Sequence, residues 1–250
     1  MRNTEVSFLL SASHLFFQRD DDTLGAVSKF VEFFCPTPKF VMDIGAGSGE
    51  FSSRLARSAE AVYALEPDPV QFGALLVNSF IVRNAGAAIV PVPLPFLDFT
   101  TKHEFDLIFM KDVLALASEN EIYPTFRRIS SLLSQDGIAI ISGRQSSPHR
   151  QNTFKNDPHT ETNGVVSFRL EACGEIESDS AVVQTDVQFV VDGETLLTQS
   201  CKQQLRIFSL DTLANIWAEV GLQVKALCAD WGGQPYDPKG PTFVIVLGLA

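Results

Sequence analysis

Between residues 23 and 142 short apolar runs alternate with segments of helical periodicity, and few folds are open to a chain so patterned. Alternation of this kind builds a parallel sheet with helices on both faces, because each crossover between parallel strands must lie over the sheet. The runs fall at 39–44, 61–65, 87–92, 105–110 and 138–142, and helices are expected over 23–34, 50–58, 70–83 and 120–134. Asp22 is placed to cap the first helix, which Pro36 and Pro38 end. A turn at Gln135-Asp136-Gly137 precedes the fifth run. Farther on, a helix over 210–220 carries Leu213, Ile216, Trp217 and Val220 at helical spacing, with strands at 223–229 and 242–249 after it. The expected class is α/β: a seven-stranded, mostly parallel sheet with helices on both faces.

After Gly143 the texture changes. Residues 143–163 are polar and turn-rich, and three β-like runs follow at 165–173, 181–191 and 196–208, with Asp192-Gly193 as a hairpin signal. We expect one domain, 1–250, in which 143–208 is an antiparallel β insertion between the fifth strand and the next helix. Residues 1–38 form an N-terminal helical lid segment in this scheme. Six of the 20 phenylalanines crowd it (Phe8, Phe16, Phe17, Phe30, Phe33, Phe34), as core packing or as an apolar cover.

The first strand runs into Val41-Met42-Asp43-Ile44-Gly45-Ala46-Gly47-Ser48-Gly49-Glu50-Phe51. Glycines at a strand-to-helix turn permit positive φ and close approach of a ligand, and the helix start offers free N–H groups. A dinucleotide fingerprint would need its third glycine at Glu50, so the spacing is G-x-G-x-G instead. The second strand ends at Glu66-Pro67-Asp68-Pro69. Glu66 lies about twenty residues past the glycines, where a carboxylate can accept from both hydroxyls of a ribose. Asp68 is placed to cap a helix with Pro69 in its first position.

These residues resemble the class I S-adenosylmethionine (SAM) dependent methyltransferases, whose first motif is an acid followed by G-x-G-x-G. The insertion after the fifth strand, and the ending Ala229-Asp230-Trp231-Gly232-Gly233-Gln234-Pro235-Tyr236-Asp237 before a last apolar strand, resemble the small-molecule branch. Nucleotide-sugar N-methyltransferases and glycine N-methyltransferase are its examples. The resemblance covers residues 23 to 249 and implies a Rossmann-like fold with SAM as cofactor. It implies cofactor contacts from Asp43, Gly45, Ala46, Gly47, Gly49, Glu66, Pro67 and Lys111, with Asp43 and Gly47 serving the ligand more than the core. It also leads one to expect an acid just past the third strand to hold the adenine. Here that stretch reads Val92-Pro93-Leu94-Pro95-Phe96, and the acid is missing at about Leu94. Asp98 in the next turn, or a backbone carbonyl, is the substitute.

Composition narrows the partners. A net charge of −11 at pH 7 argues against nucleic acid or an anionic membrane, either of which favours a basic face. Cys35, Cys173, Cys201 and Cys228 show no CxxC pairing and no matching histidine spacing, so no metal is expected and a reducing, cytoplasmic setting fits. The N-terminal apolar run at 6–10 is too short for a secretory signal, and no run has the length of a membrane span. Unpaired edges in the insertion lead one to expect a roof over the substrate pocket, a homodimer through the insertion, or both.

Methyl transfer needs mainly positioning, with a base only where the acceptor must lose a proton. His149 and Asp112 are the candidate catalytic residues, with Tyr236, and His14 on the lid, behind them. Lys111-Asp112 directly follows the fourth strand and reads equally as a local salt bridge or as a contact to cofactor or substrate. His103 and His159 read as surface positions. The expected activity is methyl transfer from SAM to nitrogen or oxygen of a small-molecule acceptor. The alternatives are a non-catalytic SAM-binding or dimerisation protein and an NAD-dependent dehydrogenase.

Overall fold

The computed structural model describes residues 21–83, 88–145, 153–155, 159–163, 166–176 and 180–250. The elements in order are α1 (Asp21–Phe34), β1 (Phe40–Ile44), α2 (Glu50–Leu55), β2 (Ala61–Leu65), α3 (Pro69–Arg83), β3 (Ile89–Val92) and β4 (Phe105–Met110). Then come α4 (Glu119–Leu132), β5 (Leu133–Arg144), β6 (Thr153–Lys155), β7 (His159–Asn163), β8 (Val166–Ile176), β9 (Ser180–Val191) and β10 (Glu194–Arg206). α5 (Leu210–Glu219), β11 (Leu222–Cys228) and β12 (Thr242–Leu249) complete the chain.

The main sheet has seven strands in the order β11-β12-β5-β4-β1-β2-β3. All are parallel except β12, which runs antiparallel to both β5 and β11. Strand order reverses between β1 and β4, so the crevice for a ligand opens at their carboxyl ends. The strands are apolar on both faces, as a sheet covered on both sides must be. Met42 and Ile44 of β1, Ile108 and Met110 of β4, and Phe243, Ile245 and Leu247 of β12 pack on α4 and α5 through Ile122, Phe126, Leu213 and Trp217. The alternate residues Val41, Leu107, Phe109, Val244 and Val246 pack on α1 and α2 through Val27, Phe30, Val31 and Leu55. The Rossmann-like architecture with helices on both faces is therefore the observed one.

Pro91 pairs opposite Ala64 in β3, the edge strand, where a missing N–H disrupts only one ladder. Asp68 caps α3 as expected: its Oδ1 accepts from Val70 N and Gln71 N, both at 3.0 Å. The turn at 135–137 is absorbed into β5 as an irregularity. Phe105 pairs with Leu133 and Leu107 with Ile138, so the residues between are passed over by the ladder. A Cβ on Gly137 would lie 2.5 Å from Phe105 O, which explains glycine at that close approach.

The second sheet has the order β10-β9-β8-β6, with β7 also paired to β8. At the β9–β10 turn Asp192 (φ 50°) and Gly193 (φ 81°) both take positive φ, the geometry a two-residue hairpin needs. β6 and β7 lie in the stretch expected to be turns. Their sequences, Thr-Phe-Lys and His-Thr-Glu-Thr-Asn, have no apolar alternation, and pairing to β8 makes them strands.

Candidate functional site

The glycine loop is stapled to the end of the neighbouring strand. Gly45 N and Ala46 N both donate to Leu65 O (2.8 and 3.0 Å), and Gly49 N donates to Ala46 O at 2.9 Å. Gly45, Gly47 and Gly49 have φ of 71°, 58° and 87°, so all three need the left-handed region. Gly45 and Gly49 are also fixed by packing. A Cβ on the first would collide with Val113, and on the second would sit 2.6 Å from Leu75 Cδ1. At Gly47 the nearest neighbour to such a Cβ is Gln71 Oε1 at 3.8 Å, so there the backbone conformation alone demands glycine. Asn78 Nδ2 donates to Ser48 O at 2.7 Å and ties α3 to the loop.

Glu66 closes this unit. Its Oε2 accepts from Gly47 N at 2.9 Å and its Oε1 from Asp68 N at 2.8 Å, with the side chain almost buried. The carboxylate clamps the loop after β1 to the loop after β2. Pro67 beside it is exposed. Asp98 is exposed in the turn after β3, its N donating to Pro95 O at 3.0 Å.

Asp43 has a job inside the protein as well. It is 2% exposed and its Oδ2 accepts from Ser52 Oγ at 2.6 Å, which anchors α2 beneath the loop. Burial pushes its carboxyl up to about 6, with the Glu66 charge adding, while Ser52 and the Lys111 charge pull down. A carboxyl with a raised folded value binds its proton more tightly folded than unfolded. Stability should therefore fall as pH rises from about 4 to about 6 and level off above, by about 3 kcal/mol from this group. In Asp43→Asn, which keeps an acceptor for Ser52, urea unfolding at pH 4.5 and pH 7 should differ less than in the parent. An equal difference in both proteins would refute this assignment.

Lys111 and Asp112 follow β4 and form a salt bridge, Nζ to Oδ2 at 2.6 Å. Lys111 Nζ also lies 5.5 Å from the centre of the Phe51 ring. Asp112 adopts φ 58°, unusual for a residue with a side chain, and Ser142 at the end of β5 holds it there. Ser142 Oγ accepts from Asp112 N and donates to Asp112 Oδ1, both at 3.0 Å. Burial acts to raise the Asp112 carboxyl, but the Lys111 charge, hydrogen bonds from Lys111 and Ser142, and the Arg144 charge hold it below the ordinary range. The side chain is still 60% exposed, facing outward from the carboxyl edge.

The loop after β11 reaches the same edge. Gln145 is buried and fully engaged: Nε2 donates to Asp237 O (2.7 Å) and Gly240 O (2.9 Å), and Oε1 accepts from Tyr236 Oη–H at 2.6 Å. Burial, with Asp211 and Asp237 adding, raises the Tyr236 phenol, so at neutral pH it is a donor committed to Gln145. Trp231 packs edge-on to Phe30 (5.6 Å) and against Phe109 (5.8 Å), which meets Phe51 at 5.6 Å. This row of rings joins α1 to the Lys111 side of the site. His149 and His14 lie outside the described residues. His103 is exposed, as expected of a surface position, and its ring is tilted against Phe40 and Tyr63 by the amino end of β1.

Gln71, Asn78, Ser142 and Gln145 were not visible as site residues from the sequence, since an amide or hydroxyl in a helix or at a strand end carries no motif. Clefts among the described residues include two near the carboxyl-edge loops. The larger, about 600 Å³, runs between α1 and the loop after β11, along Lys29, Phe30, Phe33 and Trp231, and touches none of the glycine-loop residues. The smaller, about 420 Å³, lies between the segment after β4 (Leu116, Ser118, Glu121) and β10 (Gln204, Arg206), where core and insertion meet. Neither cleft is lined by a glycine-loop residue, Glu66, Lys111 or Asp112. No group of three or more metal-ligating side chains occurs among the described residues, and no described helix is long and apolar enough to cross a membrane.

Residues 42–141 match the family described as a methyltransferase domain. No curated protein matches the chain in sequence. Among solved structures, DesVI of Streptomyces venezuelae is similar with a TM-score of 0.77 at 13% identity, over 97% of each chain. The CcbJ methyltransferase of Streptomyces caelestis gives 0.72 at 17% identity, over 90% of this chain and 88% of that one. CalS10 of Micromonospora echinaspora, an amino pentose methyltransferase solved with SAM bound, gives 0.71 at 14% identity, over 94% of both. At such identities the structural likeness speaks for the fold. Neither the family match nor these likenesses support the dehydrogenase or the non-catalytic alternative. Residues 42–141 thus carry a methyltransferase domain, and the strand order is that of the Rossmann-like fold these structures share.

Proposed function

We propose that the chain methylates nitrogen or oxygen of a small polar molecule, with an amine on a sugar-like ring as the first candidate. The carrying observation is the Glu66 carboxylate fixed between Gly47 N and Asp68 N at the crevice where strand order reverses. Glu66 would hold the ribose, the Gly45 to Gly49 turn would let the cofactor approach the backbone, and Lys111 would face its methionine end. Asp43 would serve indirectly, by seating α2. Pro67 and Asp98 remain the proposed neighbours of the adenine, with Asp98 replacing the acid missing near Leu94. SAM, when bound, supplies an activated methyl that carries its own leaving group.

The acceptor site is proposed in the cleft between Ser118, Glu121 and the insertion strand β10. Its polar walls suit a hydroxyl- or amine-bearing ring, and the amino pentose methyltransferase CalS10 supports that choice. His149 is the proposed base. Asp112 is better suited to orient the acceptor than to take its proton, because a carboxylate held low is a weak base. The acidic net charge supports a small acceptor rather than a nucleic acid, and the free Cys35 and Cys228 support a cytoplasmic setting. Calorimetry with SAM, S-adenosylhomocysteine and NAD, then a screen of amines, phenols and sugars with S-adenosylhomocysteine readout, tests this. Binding of NAD but not SAM would sink it.

The insertion is also proposed to pair two subunits. β10 is the outer strand of its sheet, 13 residues long, and carries exposed Leu196 and Leu197, the kind of edge proteins usually cover. Light scattering at micromolar concentrations should give twice the 27.4 kDa chain mass. A monomer throughout that range would leave the insertion only its roofing role.

A further inference from the structure

Gln71 stands in the first turn of α3, its backbone N held by Asp68 Oδ1 at 3.0 Å. Its side-chain Oε1 is buried and accepts no hydrogen bond. Such an acceptor is costly in a folded protein unless a donor reaches it from outside the chain. The oxygen lies 3.8 Å from where a Cβ on Gly47 would be, and Gly47 N is the donor that holds Glu66 Oε2 at 2.9 Å. Two side-chain acceptors, one from each end of the loop after β2, thus converge on the central glycine of the turn. The backbone N–H at that glycine is already used by Glu66.

We infer that Gln71 is a cofactor-binding residue whose Oε1 accepts from one of the two ribose hydroxyls, sharing the diol with Glu66. This rests on the SAM reading of the glycine loop. The ribose is the part of the cofactor that offers two O–H donors to adjacent acceptors, and Glu66 already gives part of its acceptor capacity to Gly47 N and Asp68 N. In the ligand-free protein the unmatched amide is a cost. In the complex it becomes an ordinary hydrogen bond.

The test uses the full chain with Gln71→Leu, and Gln71→Met as an unbranched second variant. Calorimetry is run with S-adenosylhomocysteine and with its 2′-deoxy and 3′-deoxy analogues, and thermal melts are run without ligand. Expected are affinity for S-adenosylhomocysteine weaker by about 3- to 10-fold in both variants, and parent-like affinity for one of the two deoxy analogues. Ligand-free melting temperatures should equal or exceed the parent's, since an orphaned buried acceptor has been removed. Unchanged affinity for S-adenosylhomocysteine would overturn the inference while leaving the cofactor assignment standing. So would equal losses for all three ligands with a lower melting temperature, which mark a structural role. If the parent itself fails to bind S-adenosylhomocysteine, the SAM reading falls first and this inference with it.

Discussion

Glu66→Ala should weaken SAM binding by about 2–4 kcal/mol, roughly 30- to 700-fold, as calorimetry will read. Two effects combine. The charge-assisted bonds proposed to the ribose hydroxyls are lost, and Gly47 N and Asp68 N lose the acceptor that fixes the two loops against each other. Glu66→Gln separates them, because an amide keeps one acceptor oxygen and removes the charge. It should fall between alanine and the parent. Alanine binding SAM as tightly as the parent does would remove Glu66 from the ribose, and with it the main support for the cofactor's pose.

His149→Ala should lower kcat by about 10²-fold or more while SAM affinity stays. An imidazole near its reference value makes turnover of an amine or hydroxyl acceptor rise between about pH 6 and 8, and the variant should flatten that rise. Asp112 gives a contrasting profile. Lys111, Ser142 and Arg144 hold its carboxyl low, so it is ionised throughout that range, and Asp112→Asn should lower turnover without changing the shape of the pH curve. Parent-like turnover in His149→Ala would mean that positioning alone, or another base, does the work.

The sheet was legible because its strands are dense in apolar residues on both faces, and such runs between Gly and Pro punctuation have one interpretation. The glycine turn was legible because positive φ at Gly45, Gly47 and Gly49 is a demand that sequence can express. What could not be read were the partnerships. Nothing local says that Gln145 will hold Tyr236 from 91 residues away, or that Ser142 will lock Asp112 from 30 away. The bond of Asp43 to Ser52 was unreadable for the same reason. β6 and β7 were missed because their polar residues are strands only by virtue of the partner they pair with.

The place of β12 has a consequence for how this chain acquires its fold. This last strand enters between β5 and β11 and pairs with both, and Phe243 to Leu247 are among the most deeply buried residues in the protein. During synthesis β5 is left without that neighbour while about a hundred further residues emerge. Its apolar Ile140 and Ile141 then belong to an exposed sheet margin, one of the surfaces chaperones meet on nascent chains. The edge that holds Glu66 and the glycine loop is built from stretches close in sequence, whereas the sheet beneath it is completed by a strand about a hundred residues beyond β5.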